Sequence, residues 1–174
     1  IKEYSKNKDV LNLFAYTGSF FFFFLAAGAK STTTVDLSNN YCSWAQKNLE
    51  LNGFNANYKE RGEGAVNEIW NEDVFEFIQV AKETGSKYDI IILDPPSFSR
   101  NKSKVFNVQN DHVDLIKNIQ EHLLNPGGFL FFSTNLSTFV LSGYIRPGAD
   151  KLTKKTVPQE FLPFRAHQSF VFYG

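Results

Sequence analysis

The segment Leu93-Asp94-Pro95-Pro96-Ser97-Phe98 places a carboxylate, two prolines and an aromatic ring directly after the apolar run 88–93. Such a run predicts a strand buried on both faces, which is typical of the parallel sheets of α/β proteins. Proline fixes φ and has no backbone N–H, so the Pro-Pro pair predicts a stiff turn that cannot extend the sheet. Open α/β sheets bind ligands outside the carboxyl ends of their strands. Asp94 and Phe98 are therefore candidate substrate-binding residues, and a plain strand-ending turn is the competing interpretation.

A second candidate site follows the first predicted strand. The turn Phe14-Ala15-Tyr16-Thr17-Gly18 leaves that strand, and Asp36 lies 18 residues after Gly18, at the end of the next one. An acid at this point of a nucleotide-binding unit accepts hydrogen bonds from ribose hydroxyls. Asp73, after the third predicted strand, is interpreted either as a contact to an adenine edge or as the N-cap of the next helix.

The chain lacks the glycine-rich motifs that bind phosphates. It contains neither G-x-G-x-x-G nor G-x-x-x-x-G-K-[ST], so no cradle for a pyrophosphate is encoded. The expected ligand is a nucleoside without phosphates, and S-adenosylmethionine is the common cofactor of that description. The π faces of Phe14 and Tyr16 suit its sulfonium cation.

Strands and helices alternate along the chain, which predicts βαβ units and an α/β fold with a mostly parallel sheet and helices on both faces. The predicted strands are 10–14, 32–35, 67–70, 88–93, 129–133, 153–157 and 169–172. The predicted helices run from Gly18 to about Ala27, from Ser38 to Leu51, after Asp73, and over 108–124. A polar loop is expected over 99–107, and a turn over 125–128.

Composition predicts one globular domain over 1–174, with 43% hydrophobic residues and equal numbers, 18 each, of basic and acidic residues. A chain that starts at Ile1 and has no methionine is expected to be a piece of a longer protein. The single Cys42 excludes an internal disulfide and fits a reducing cytoplasm. No run approaches the ~20 apolar residues of a membrane-spanning helix.

The run Phe20–Phe24 is unusual for a surface helix. Consecutive helical residues advance by ~100° each, so five of them point all round the axis. Two interpretations stand: a helix between this sheet and a neighbouring domain, or an aggregation-prone segment.

Several motifs together resemble class I methyltransferases: LNLFAYTGS (11–19), TTTVDLSNNY (32–41), LDPPSFS (93–99), NVQNDH (107–112) and LNPGG (124–128). The closest resemblance is to the catalytic domain of bacterial large-subunit (23S) ribosomal RNA methyltransferases of the guanine-N7 group. The tail KKTVPQEF (154–161) with His167 is similar to that group as well. The resemblance implies a Rossmann-like, seven-stranded sheet whose last strand is antiparallel. It also implies S-adenosylmethionine as cofactor and a guanine nitrogen of ribosomal RNA as methyl acceptor.

The resemblance also implies roles for individual residues. Phe14, Tyr16, Gly18 and Ser19 would flank the methionine part of the cofactor, Asp36 would hold its ribose, and Asp73 and Val74 its adenine. The remaining cofactor-binding candidates are Asn12, Thr17, Leu37, Ser38 and Asp94. The catalytic candidates are Asp94, Pro95, Pro96, Ser97 and Phe98, with Phe98 stacking on a base swung out of its helix and Asp94 holding the base edge.

Three further functions remain open from the residues alone. The first is a cytosine-C5 enzyme, which needs a cysteine nucleophile, but the places where C5 relatives carry it hold Ser133-Thr134-Asn135 and Ser97. Cys42 lies on the helix after the second strand and is interpreted as a buried small hydrophobe. The second is a small-molecule methyltransferase, and the third is a non-catalytic nucleotide-binding domain.

Local basic residues are the expected RNA contacts, because the chain as a whole is neutral. Arg100, Lys102 and Lys104 follow the Pro-Pro turn, where contacts to phosphates would position a substrate. A second group, Arg146, Lys151, Lys154 and Lys155, is interpreted as solvated surface. An additional N-terminal RNA-binding domain is a further expected partner. His112 and His167 are expected to cap or pack, and no metal-binding cluster is predicted.

Overall fold

A computed structural model describes residues 4–58, 66–100, 105–156 and 167–174 of the chain. Ten strands are present within these ranges: β1 Asp9–Leu13, β2 Ser31–Asp36, β3 Asn57–Tyr58, β4 Asn67–Asn71, β5 Tyr88–Leu93, β6 Phe98–Arg100, β7 Val105–Asn107, β8 Leu124–Thr134, β9 Ala149–Lys151 and β10 Gln168–Tyr173. Five α-helices accompany them: α1 Ser19–Ala26, α2 Asn39–Leu51, α3 Val74–Thr84, α4 Val108–His122 and α5 Thr153–Thr156.

The main sheet has eight strands among the described residues, in the order β3-β4-β2-β1-β5-β8-β10-β9. The inner strands are parallel, and β10 runs antiparallel to β8 and β9. The predicted α/β class is therefore confirmed, together with the antiparallel last strand. The expected count of seven strands is wrong, since the two-residue strand β3 adds an edge beside β4.

The order of the strands reverses between β1 and β5. The chain moves outward from β1 to β2 and β4, and then returns so that β5 pairs with the free side of β1. Loops at the carboxyl ends of β1 and β5 consequently diverge and leave a crevice, as open α/β sheets do at such a reversal. The segments that follow β1 and β5, 14–18 and 94–98, lie at this crevice.

Helices cover both faces of the sheet because the central strands are apolar on both sides. In β5, Ile91 and Leu93 pack in the core beneath α3 and α4, whereas Ile90 and Ile92 face the side of α1. On that side Phe21 and Leu25 of α1 pack against α2. The alternation follows the two-residue period of a strand.

Local capping explains where the helices begin. Ser38 Oγ accepts from Tyr41 N at the start of α2, and Asp73 Oδ1 accepts from Phe75 N at the start of α3. Asn107 caps α4 through its side-chain oxygen. A side-chain oxygen at this position satisfies a backbone N–H that the helix itself leaves unpaired. The N-cap interpretation of Asp73 is thereby confirmed.

Two local predictions are wrong. The polar loop over 99–107 contains paired strands β6 and β7, because Phe106 anchors β7 in the core. The strand over 153–157 is replaced by α5, and β9 lies just before it; Val157 is outside the described residues. The predicted turn at 125–128 lies within the range of β8 as an irregularity: these four residues stand opposite Asp89 alone, and Gly127 has a φ of 76°.

The helix α1 exposes part of its phenylalanine run. Phe21 and Phe24 are buried against the sheet, whereas Phe20 and Phe23 are 38% and 48% exposed. The neighbouring domain proposed for this face stays a prediction. No helix in the described ranges has the length and apolar character needed to cross a bilayer.

His112 fastens the segment after β8 to the first turns of α4. Its Nδ1 lies 2.9 Å from the carbonyl oxygens of Val108 and Gln109, and its Nε2 accepts from Ser142 N at 3.1 Å. This pattern requires the neutral ring, with the proton on Nδ1. The packing role expected for His112 is therefore confirmed.

We predict that His112 makes stability depend on pH. Burial lowers the pKa of His112 below its ordinary value of 6.5, so the unfolded chain takes up a proton that the folded chain resists. Stability is then complete above the unfolded pKa and falls as the pH drops below it. Urea unfolding from about pH 8 to about pH 5 measures this fall. His122→Gln should retain the dependence and His112→Gln should lose most of it; an unchanged slope in His112→Gln contradicts the assignment.

Candidate active site

The loop between β1 and α1 has a left-handed backbone at every second residue. Phe14, Tyr16 and Gly18 have φ of 57°, 52° and 75°. This conformation suits glycine, and it costs a residue with a side chain about 1–3 kcal/mol. The loop therefore has the backbone of a glycine-rich loop but carries two aromatic side chains. Both side chains line the crevice.

Asp36 holds this loop in place. Its Oδ2 accepts from Tyr16 N at 2.9 Å, and its Oδ1 accepts from Ser38 N at 2.8 Å. Asn48 Nδ2 adds a hydrogen bond to Thr17 O at 3.0 Å. Because a carboxylate has about four acceptor positions, Asp36 retains lone pairs for ribose hydroxyls. The side chain is thus both a support and a candidate ligand contact.

The crevice has a volume of about 360 Å³, within the range of small-molecule sites. It contains eight of the site residues predicted from sequence: Phe14, Tyr16, Asp36, Leu37, Asp73, Val74, Asp94 and Pro96. Acidic groups from the ends of β2, β4 and β5 therefore face one cavity, as the nucleoside prediction requires. Its size and its hydrogen-bond acceptors fit an adenosyl ligand without phosphates.

The other predicted residues are not among those that line the crevice. Asn12 is buried in β1, Gly18 and Ser19 form the start of α1, and Ser38 caps α2. Thr17 contributes its carbonyl to Asn48. In the Pro-Pro turn, Pro95 is buried, Ser97 contacts Asn135, and Phe98 is 56% exposed.

The sequence did not predict five of the residues that line the crevice: Tyr41, Phe75, Ser99, Arg100 and Phe106. Of these, Arg100 was predicted only as a contact to RNA. Phe14, Phe75 and Phe106 form an aromatic cluster with ring centroids 5.6–6.4 Å apart. The only sequence signal for Phe106 is one phenylalanine within a polar stretch. Tyr41 lies one helical turn after Ser38, and its ring is 4.4 Å from that of Tyr16.

Cys42 is unsuited to nucleophilic chemistry. It is buried, and its Sγ lies 3.4 Å from Asp36 O and 3.7 Å from Trp70 O. Burial, aided by the charge of Asp36, raises the pKa of the thiol to about 11. The thiolate that attacks carbon is therefore scarce at neutral pH. The described residues also contain no cluster of metal ligands.

Comparison with known proteins agrees with this geometry. Residues 1–145 match the family described as S-adenosylmethionine-dependent methyltransferase. The chain belongs to this family. The resemblance predicted from the motifs is thereby confirmed, together with S-adenosylmethionine as the cofactor of the family.

Relatives of this methyltransferase extend well beyond the chain. It is 40% identical over 172 residues to "Ribosomal RNA large subunit methyltransferase K" of Neisseria meningitidis serogroup B, covering 97% of the chain and 46% of that relative. The protein SMU.776, crystallised in complex with SAH, superposes with a TM-score of 0.77 at 28% identity, covering 97% of the chain and 45% of that structure. A methyltransferase from Agrobacterium tumefaciens gives 0.70 at 25% identity, covering 99% and 57%. The chain thus spans about half the length of these proteins.

We predict that a side chain at Gly18 destabilises the fold more than a side chain at Gly53 does. Gly18 has a φ of +75°, and a Cβ added to it would lie 2.9 Å from Ala45 Cβ. Gly53 has a similar φ of +78°, but a Cβ added there would have no atom within 4 Å. Gly53→Ala should cost about 1 kcal/mol of unfolding free energy through the backbone alone. Gly18→Ala should cost about 2–4 kcal/mol because a clash is added. Equal losses in chemical denaturation would show that the contact with α2 is unimportant.

We predict that Cys42 is inert in the folded protein. Iodoacetamide should label it only after denaturation, because the thiol is buried and un-ionised. Cys42→Ala should keep full methyl-transfer activity, measured alongside the labelling. Loss of turnover with intact cofactor binding would instead revive a covalent route.

Proposed function

We propose that the chain is a catalytic domain that transfers a methyl group from S-adenosylmethionine to a guanine nitrogen of large-subunit ribosomal RNA. The observation that carries the proposal is that Asp94, after β5, lines the same crevice as Asp36 and Tyr16. The part of the crevice that can bind a nucleoside therefore lies next to the Pro-Pro turn, which can hold a base. The name of the Neisseria relative supports the choice of RNA.

The cofactor would lie along the carboxyl ends of β2, β1 and β5. Asp36 would accept hydrogen bonds from the ribose, and Asp73 with the buried Val74 would border the adenine. Leu37, which is 59% exposed, offers a second apolar wall. The rings of Phe14 and Tyr16 would face the sulfonium, which π faces and nearby carboxylates attract.

S-adenosylmethionine supplies an electrophilic methyl group, and the protein supplies alignment. A nitrogen lone pair displaces the sulfur in line and needs little acid–base assistance, so positioning provides much of the rate. Asp94 would hold the edge of the base by accepting its N–H groups. The exposed ring of Phe98 would stack on the base and keep it out of its helix.

The RNA strand would approach from the side of β6. Arg100 is exposed there and lines the crevice, where its guanidinium could neutralise a phosphate. Lys102 and Lys104, predicted for the same role, lie outside the described residues. A further RNA-binding domain in the complete protein and a place in the cytoplasm belong to the same proposal.

The test is transfer of tritiated methyl groups to undermethylated ribosomal RNA, followed by mass analysis of the nucleosides. The wild type should yield one methylated guanosine. Asp36→Ala should weaken cofactor binding at least about tenfold, since it loses both the ribose contact and the support of the loop. Asp94→Asn should bind the cofactor within a few-fold and lose most transfer. Asp150→Asn, an exposed acid on β9, serves as the control and should change neither quantity.

Three results would contradict the proposal. Methylation of a small metabolite but not of RNA would identify a small-molecule enzyme. A methylated cytosine would indicate the wrong acceptor. Calorimetry that detects binding of neither S-adenosylmethionine nor S-adenosylhomocysteine would indicate a non-catalytic domain.

A further inference from the structure

Two side-chain hydrogen bonds connect the Pro-Pro turn to the end of β8. Ser133 Oγ donates to Asp94 Oδ1 at 2.6 Å, and Ser97 Oγ donates to Asn135 Oδ1 at 2.7 Å. Residues two apart in an extended chain point to the same side. Ser133 and Asn135 therefore meet the turn as a pair, which we call the turn–strand bridge.

The bridge leaves one polar group free on each of its two exposed members. Asp94 is exposed and keeps Oδ2 as an acceptor, while Asn135 is exposed and keeps its amide nitrogen as a donor. Neither of these atoms has a partner among the residues that the structure describes. The hydrogen bond from Ser97 to Oδ1 also sets the direction of the amide, because it occupies the oxygen and turns the N–H groups away. An acceptor on Asp94, which lines the crevice, and a donor on Asn135 are thus both tied to the Pro-Pro turn and the end of β8.

This pair of groups matches one nucleobase better than the others. The Watson–Crick edge of guanine presents an acceptor, O6, beside two donors, N1–H and N2–H₂. An amide N–H beside a carboxylate complements that order. Adenine presents the reverse, a donor beside an acceptor, and would leave both protein groups unsatisfied. Uracil matches O6 and N1–H with its own O4 and N3–H, but it places the acceptor O2 against the carboxylate. Polar groups that a bound base covers but leaves unpaired cost binding free energy, and this cost is what gives polar sites their discrimination.

We propose that Asn135 determines the specificity for guanine, by donating to O6 while Asp94 accepts from N1–H and N2–H₂. Ser97 and Ser133 are positioning residues that act through these two groups. The inference rests on the proposed function, because it assumes that the Pro-Pro turn receives the target base. It adds a recognition residue that directly follows β8, where the sequence predicted no contact to the base.

The experiment compares short oligocytidine strands that carry one central guanine, inosine or adenine. Inosine retains O6 and N1–H but lacks the 2-amino group. Binding is measured in the presence of S-adenosylhomocysteine, and methyl transfer is measured separately with S-adenosylmethionine. The wild type should prefer guanine over inosine and inosine over adenine.

The charge-changing variant Asn135→Asp replaces the donor by an acceptor of the same shape. It should lower the guanine-to-adenine preference at least about tenfold and leave cofactor affinity unchanged. Asn110→Asp, which makes the same change at an exposed site on α4, is the matched control and should keep the preference. If Asn135→Asp keeps the wild-type preference, Asn135 does not read the base and the inference is overturned.

The role of Ser133 is tested by removing its hydroxyl group and by restoring it in a second variant. Ser133→Ala should lower kcat about tenfold with an unchanged KM for the cofactor, and Ser133→Thr should restore it. A fall in both variants, or an unchanged kcat in Ser133→Ala, overturns the positioning role. If the wild type methylates none of the strands and no ribosomal RNA, the proposed function fails. If the wild type methylates guanine but the variants do not show the changes predicted above, only this inference fails and the proposed function stands.

Discussion

The carboxylate of Asp36 is the group on which the candidate site depends most. One oxygen accepts from Tyr16 N and the other from Ser38 N, so a single side chain ties the loop after β1 to the end of β2. Hydrogen bonds to a charged acceptor are stronger than neutral ones. They offset the cost of a left-handed backbone at Phe14 and Tyr16. Together with the hydrogen bond from Asn48 Nδ2 to Thr17 O, they hold the two rings over the crevice.

The crevice behaves as one unit because its walls share contacts. Phe106 on β7 packs between Phe14 of the β1 loop and Phe75 of α3, which joins the strands after the Pro-Pro turn to the cofactor side. Ser133 in β8 and Asn135 just after it also hold the same turn through hydrogen bonds. The reversal of strand order between β1 and β5 only brings these segments near each other. The side-chain contacts determine how they face.

Much of the scaffold could be predicted from local patterns. The strands β1, β2, β4 and β5 were predicted to within one residue at each end, because apolar and β-branched runs between turn residues are strong signals. Residue type also predicts that a helix begins at Ser38, and it offers the N-cap as one of two interpretations of Asp73. Strands β6 and β7 were not predicted, because their one buried anchor, Phe106, lies in a polar stretch. A left-handed Phe14 or Tyr16 was not predictable either, since only glycine signals that conformation. The pair Ser133–Asp94 spans 39 residues, beyond any local pattern.

The most direct measurement is a crystal structure of the chain with S-adenosylhomocysteine. The ribose hydroxyls should lie within hydrogen-bonding distance of Asp36, the adenine beside Val74, and the sulfur between the Tyr16 loop and Asp94. A ligand bound elsewhere on the sheet would contradict this placement. So would a crevice closed by the rings of Phe14, Phe75 and Phe106 at saturating ligand.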